Sequence, residues 1–568
     1  MSASQPVPCS QRSSLRRRDW RSLAFPVALL VLCGVLFFWR LGATPLDDFD
    51  ESYYAEAARE MLIRGDLLTP YYNGEPFLLK PILIYWLNAA AFSLFGITEF
   101  AARAVSAFFG ALIVLLTYWF GSLTLNRRAG LLAGTALALS YMWVDTAREG
   151  MIDMPLTAAL APAMFLFFLA TQAPETRRKW LYLGAYPLLG VALLAKGPMA
   201  VGVVLLGFLG YLASARRLRR TLSEARLLPG LALALVVAAP WYVYEALHEP
   251  EFIQVFLVRE HFGHLQGELA RDEPWWGHLK NLFVCFYPWV AFLPAAAAHA
   301  VRRRDRRRVL LFALWWAGAV VVAFSFAGAK LPHYLVPAFP PMALLVGAWL
   351  DAWIKRREAS RGWTWFGFAA LALVGSASAA MAAVAAAMPP VVAARIEAQF
   401  GSWRPGPAPA VMLGALAAGS LGAVACAATK RRWSAAPVLA GAMLAASLTH
   451  VGWFKPRIAE IQAQPRKELA QFVGAAIPES EPLGVFYAKR NATIFYARRP
   501  IVDLGEWDVQ VLVSFLAEPR PATALTHVQF VPELEAALPE VCVWTRRGDY
   551  VLVSNHPLRQ LAGRRASM

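Results

Sequence analysis

Charge is scarce in this sequence. Only 16% of its 568 residues are Asp, Glu, Lys or Arg, against roughly a quarter in a soluble domain, and 58% are hydrophobic. A water-soluble fold this apolar could not cover its own surface, which excludes a cytosolic globular protein. Cysteine is scarcer still. The five cysteines (Cys9, Cys33, Cys285, Cys426 and Cys542) are too widely spaced for a CxxC pair or a paired framework, which argues against zinc knuckles and disulfide scaffolds. No Gly-rich loop of the kind that cradles a nucleotide is present. Nor is there an internal repeat of the kind on which many transporters are built. The formal charge of +17 does not indicate nucleic acid as a partner. Lys and Arg stand in short clusters between apolar runs, as on the cytoplasmic side of a membrane protein.

What is present is hydrophobic sequence in lengths that cross a bilayer, about 20 residues each. The first run, Leu23 to Trp39, follows Arg16, Arg17, Arg18 and Arg21. It leads into acidic sequence without a small-residue cleavage site, which predicts an uncleaved helix with a cytoplasmic N-terminus. Basic clusters recur at Arg127-Arg128, Arg177 to Lys179, Arg216 to Arg220, Arg302 to Arg308, Lys355 to Arg357 and Lys430 to Arg432. Placing each on the cytoplasmic side predicts later spans at 99–123, 129–147, 155–171, 181–196, 199–215, 228–246, 279–300, 309–327, 333–352, 363–387, 409–428 and 434–453. The expected fold class is a polytopic α-helical membrane protein of about thirteen spans. Segment 81–96 is apolar but only about 24 Å long as a helix, too short to cross, so it reads as re-entrant or interfacial. The expected organisation is a membrane domain over 1–455, with a large first external loop at 42–98, and a small external α/β domain over 456–568. That last stretch alternates short apolar runs with helix-like ones.

The external side is where ionisable residues gather. Asp47, Asp48, Asp50 and Glu51 follow the first span, and Tyr54, Glu56, Arg59 and Glu60 continue with helical spacing. Asp50 and Glu51 fall at the N-terminal end of that helix, where its dipole favours carboxylates. A cap and a solvated acidic face also account for them, but the flanking span and the aromatic sequence YYNGEPFLLKPILIYW place this helix at the membrane surface. The turn REGMIDMP carries Arg148, Glu149 and Asp153, with Asp153 able either to cap the next helix or to act at the mouth of a bundle. Lys80, Lys196 and Lys330 end apolar runs at the same level. They can snorkel there, or together meet the phosphate of a lipid headgroup. The third external loop adds Arg259, Glu260, His261 and His264. His-x-x-His with an acid allows a zinc site only weakly. These residues suit an enzyme acting on a lipid phosphate or a transporter for an ionic solute.

DESYYAEAAREM, the KP of LLKPILIYW, MIDMP, LLAKGP, PWYVYEALHEPEFIQVFLVREHF, YPWV and AKLPHYLVPAFPP occur in this order. The series resembles the C-type glycosyltransferases that use polyprenyl-phosphate sugars, within the protein mannosyltransferase-like superfamily. EPEF…EHF and KLPHYLVP most resemble its lipid A aminoarabinose transferases. Two departures stand near the expected headgroup site. Leu79 precedes the loop lysine where relatives commonly have an acid, and His264 stands where they often have an arginine.

The resemblance implies that Asp50, Glu51 and Asp153 are the catalytic carboxylates. It implies a donor-phosphate site around Lys80, Lys330 and Tyr334, with Tyr54, Arg59, Arg148, Lys196, Glu260 and His261 completing the substrate site. The donor would be undecaprenyl phosphate carrying 4-amino-4-deoxy-L-arabinose and the acceptor a phosphate of lipid A. The reaction would proceed with inversion at the periplasmic face of a bacterial inner membrane and protect against cationic peptides. The sequence requires no cofactor and leaves a divalent metal open. A relative using another sugar or a protein hydroxyl acceptor is the alternative expectation, and a secondary transporter the remote one.

Overall fold

The structure is a computed structural model that describes residues 23–47, 49–263, 274, 276–303, 307–327, 330–358, 360–389 and 406–557. Its first half comprises helices α1 (Ala24–Phe38), α2 (Asp50–Arg64), α3 (Leu83–Phe95), α4 (Glu99–Thr124), α5 (Arg127–Ala138), α6 (Tyr141–Ala147), α7 (Asp153–Gln172), α8 (Glu175–Lys196), α9 (Pro198–Ser214), α10 (Leu218–Glu224) and α11 (Leu227–His248). Later come Arg307–Ser325, Pro332–Ile354, Arg361–Ala387, Ala408–Ala428 and Arg432–Gln462. Helix, whole or broken, occupies every segment expected to cross. Among the described residues eight helices are long and apolar enough to do so singly, and the chain is a multi-pass membrane protein.

Two expected spans are not single helices. The one at 129–147 is divided at Leu139-Ser140 into α5 and α6. The one at 279–300 is a pair, Gly277–Cys285 and Trp289–Arg302, bent by 113°. Pro288 lies at that break, where its missing N–H and its ring prevent an uninterrupted helix. α3 has 13 residues, about 20 Å of helix, less than a hydrocarbon core.

Small residues let the helices touch. Gly121 and Gly130 face each other across α4 and α5, and a Cβ on Gly347 would lie 2.6 Å from the carbonyl oxygen of Ala129. Such close backbone approach supplies van der Waals attraction where the solvent is lipid and the hydrophobic effect between helices is weak.

α2 departs from a solvated helix. Glu51, Glu56, Arg59 and Glu60 are buried along with its alanines. One cause is the C-terminal domain, which covers it. Tyr496 donates its hydroxyl to Glu99 and accepts the Leu46 amide, at 3.0 and 2.8 Å. Lys467 pairs with Glu99 at 2.5 Å. A single hydrophobic cluster joins Ala55 and Ala58 of α2, Phe92 of α3, and Leu469, Phe495 and Leu525 of the distal domain. That domain has a five-stranded mixed sheet. In spatial order its strands are Val502–Asp503, Leu483–Val485, Thr523–His527, Tyr550–Ser554 and Cys542–Arg547. The first three are parallel and the last two pairings antiparallel.

Candidate active site

The α7–α8 hairpin makes the centre of the site. The two helices pack along their length and are joined by Ala173-Pro174. The first residue of α7 and the last of α8 therefore meet at the other end. These are Asp153 and Lys196, with Lys196 Nζ 2.6 Å from Asp153 Oδ1. Asp153 is 1% exposed, and its Oδ2 has no partner among the described residues. Lys196 Nζ also lies 4.9 Å from the centre of the Tyr334 ring.

A second lysine arrives from the loop between α2 and α3. Tyr71–Tyr72 and Glu75–Pro76 form a two-residue hairpin, with Asn73 and Gly74 at φ 57° and 89°. Asn-Gly tolerates this left-handed pair, so the turn is tight and its register defined. Beyond it Lys80 makes an ion pair with Glu260 of the helix Ile253–Gly263. Both lysines thus have carboxylate partners.

Asp50 opens α2 half-buried and has no hydrogen bond or ion pair among the described residues. It and Asp153 both lie within electrostatic reach of Tyr54, His333 and Tyr334. Lys80 and Lys196 also act on His333, and Glu260 on Tyr334. The hydroxyls of Tyr54 and Tyr85 are buried with no partner among the described residues, and their rings meet edge to face at 6.0 Å. Burial, then the Asp50 carboxylate, pushes both phenols well above their ordinary range. They remain protonated and can donate to an anion.

Other expected residues are engaged by protein groups. Glu51 has both oxygens engaged. Arg103 Nε and Nη2 donate to them at 2.7 and 2.8 Å, and the amides of Asp47 and Gly150 at 2.8 and 2.9 Å. Burial pushes its carboxyl up, but Arg103 and these amides together outweigh it and hold the carboxyl below its ordinary range. Glu51 therefore ties α2 to α4 and the 148–153 turn, with no oxygen left for a ligand. Arg59 donates to Glu56 at 2.7 and 2.5 Å on α2 itself. Arg148 donates to the carbonyls of Leu36 and Phe37 at 2.9 and 3.1 Å, closing the end of α1. Lys330 Nζ donates 2.9 Å to the carbonyl of Ala327, not to a carboxylate. The side chain of His261, and all of His264, lie outside the described residues. No three of His, Cys, Asp and Glu gather as a metal site among those described.

Arg103, Tyr85 and His333 were not singled out from the sequence. Arg103 carried a signal, since a charge inside an otherwise apolar span needs a partner. Tyr85 and His333 carried none beyond adjacency to Lys80 and Tyr334 in the quoted motifs.

This helical membrane bundle, with a cluster of carboxylates, lysines and phenols at the end that bears a small α/β domain, has the fold of the C-type membrane glycosyltransferases. Residues 79–244 match the family described as dolichyl-phosphate-mannose-protein mannosyltransferase. The structure is similar to ArnT from Cupriavidus metallidurans bound to undecaprenyl phosphate, with TM-score 0.76 and 23% identity over 96% of this chain and 100% of that one. The apo state of the same protein gives 0.74 and 24%, over 94% and 98%. Among curated proteins, the undecaprenyl phosphate-alpha-4-amino-4-deoxy-L-arabinose arabinosyl transferase of Pectobacterium carotovorum is 32% identical over 328 residues, 57% of this chain and 58% of that protein. The protein of the same description from Yersinia pestis is 32% identical over 329 residues, with the same shares. The chain thus aligns with little more than half the length of these relatives. The resemblance read from the motifs is borne out.

Proposed function

We propose that the chain transfers 4-amino-4-deoxy-L-arabinose from undecaprenyl phosphate to a phosphate of lipid A, with inversion, at the periplasmic face of a bacterial inner membrane. The modification lowers the negative charge of the outer surface and so opposes cationic peptides. The relatives' names give the donor and the arabinosyl transfer, and the chemistry of the site suits a phosphate acceptor.

One grouping carries the reading. Two lysines held by carboxylates stand with two buried phenol hydroxyls and an Asp153 oxygen that no described protein group satisfies. Buried polar atoms are nearly always paired, so unpaired ones gathered at one site favour a polar ligand. In this reading Lys80, Lys196, Tyr54 and Tyr85 receive the donor phosphate. Asp50 and Asp153 take the cationic amino group of the sugar and offset positive charge growing at the anomeric carbon. An ionised oxygen of the acceptor phosphate attacks that carbon from the face opposite the donor phosphate. The carbon–oxygen bond to the donor breaks, and undecaprenyl phosphate leaves with the electron pair. The lysines stabilise the charge arriving on it, the kind of contribution that is usually an active site's largest. Glu51, Arg59 and Arg148 position this machinery without touching substrate.

Purified protein, donor and lipid A, followed by mass spectrometry of the lipid, test the proposal. The expected product is lipid A heavier by one aminopentose. Transfer of a different sugar, or to a protein hydroxyl and not to lipid A, overturns it. The hydroxyl-acceptor reading has one observation in its favour, the unpaired Asp50, which could serve as a general base.

A further inference from the structure

The opposite end of α7 carries a second polar pocket that the proposed reaction does not use. Twenty residues of helix, about 30 Å, separate Asp153 from Gln172, so this pocket lies one hydrocarbon thickness from the first site. It is a cavity of ≈ 170 Å³ whose described lining includes Arg178, Arg217, Arg220 and Arg308 with one carboxylate, Glu224. The arginines come from separate elements: Arg178 from α8, Arg217 from the turn before α10, Arg220 from α10 and Arg308 from the helix Arg307–Ser325. The sequence shows them only as three unrelated basic clusters.

Glu224 is engaged by Arg178 at 2.6 Å and Arg220 at 3.0 Å. Arg217 donates to the carbonyl of Thr171 at 2.7 Å and Arg308 to the side-chain oxygen of Gln172 at 3.0 Å. Capping the end of α7 therefore occupies part of this set. Neither Arg217 nor Arg308 meets a carboxylate among the described residues, and each guanidinium has five N–H groups. Below them Tyr182 and Tyr211 are fully buried, and their hydroxyls have no hydrogen-bond partner of good geometry among the described residues. They approach Thr221 and Thr171, which line the pocket.

We propose that this pocket binds the phosphate of an anionic phospholipid headgroup from the leaflet opposite the transfer site. Arginine clusters match phosphate oxygens in planar, bidentate fashion, and basic pockets between helices at this depth bind anionic headgroups. A soluble phosphate ion offers the same oxygens but has no acyl chains to hold it at the membrane surface.

The full-length protein in mild detergent, with phosphatidylglycerol titrated and bound lipid counted by native mass spectrometry, tests this. The wild type should retain phosphatidylglycerol at least about tenfold more tightly than phosphatidylcholine, and R217Q/R308Q should lose that preference. R127Q/R128Q, which removes equal charge outside the pocket, should keep it. Arg308 is exposed, so R308Q alone, expected to weaken retention about threefold, serves if the double variant does not fold. Equal retention of both lipids, or equal retention by wild type and R217Q/R308Q, overturns the proposal. So does inorganic phosphate that displaces the lipid at the lipid's own concentration, because the pocket would then be a site for a free anion.

Discussion

Lys196 closes α8 and Asp153 opens α7, and their side chains meet at 2.6 Å although 43 positions separate them. The pair joins two functions, since it locks the mouth of the hairpin and aims an ammonium group at the Tyr334 ring. Asp153→Asn should therefore lower both stability and transfer. Leaving Lys196 partly buried without a partner costs at most about 3 kcal/mol, because it is not fully desolvated. The double variant D153N/K196M should regain the lost thermal stability and none of the activity. Recovery of activity along with stability would make the pair a purely structural one.

Asp50 has no partner to lose, so Asp50→Asn should leave the unfolding temperature unchanged. The N-cap of α2 is Phe49 and no side chain caps it, so Asp50 makes no capping bond for Asn to replace. Transfer should nevertheless fall by about 100-fold or more. A donor lacking the amino group should be used poorly by the wild type, and the gap between the two donors should narrow in the variant. An equal loss with both donors, restored by a small exogenous base, identifies Asp50 as a proton acceptor instead.

The acceptor makes a pH prediction. A phosphate monoester has a second pKa of about 6, so its attacking oxygen carries no proton to remove near neutrality. General-base catalysis, worth roughly 10²–10⁴-fold where it operates, has little to add. Activity should rise as the acceptor ionises and then stay flat from neutral to mildly alkaline pH. A further rise of tenfold per pH unit in that range would show an obligatory base.

Glu51 and Arg103 predict an acid-sensitive fold. Arg103 and the amides hold the Glu51 carboxyl below its ordinary range, so the folded state binds that proton less readily than the unfolded chain. The stabilisation is fully present above the unfolded value, about 4.3, and is lost as pH falls through the folded one. Glu51→Ala should destabilise the protein at neutral pH by about 3–5 kcal/mol, because Arg103 is left buried and unpaired. Its penalty should shrink in acid. Thermal unfolding in detergent between neutrality and pH 3 measures both. A penalty independent of pH would contradict the ion-pair account.

The proposed sidedness is open to labelling. In a background without native cysteines, Arg127→Cys should resist an impermeant thiol reagent applied to intact spheroplasts, and Ser514→Cys should react. Both positions are exposed in the structure, so reactivity reports the side of the membrane and not burial. Labelling at Arg127→Cys alone would invert the proposed topology.

The course of the helices was legible in the sequence because a bilayer imposes a local rule: each crossing must satisfy its own backbone and remain apolar over about 20 residues. The positions of Asp153 and Lys196 at the same end of neighbouring helices followed from counting those crossings. The chain folds as it does at Asn73-Gly74 for an equally local reason. Pairings across long separations were not legible. Lys80 meets Glu260 across 180 positions, and Glu51 meets Arg103 across 52. Charge pairing depends on distance in space, and the pattern along the chain is the same whether Glu51 faces a substrate or an arginine. Only the tertiary structure separated Asp50, left open, from Glu51, fully engaged, although the two are adjacent in the chain. It also decided that α2 is covered, because the cluster from Ala55 to Leu525 is assembled from segments that only the packed C-terminal domain brings together.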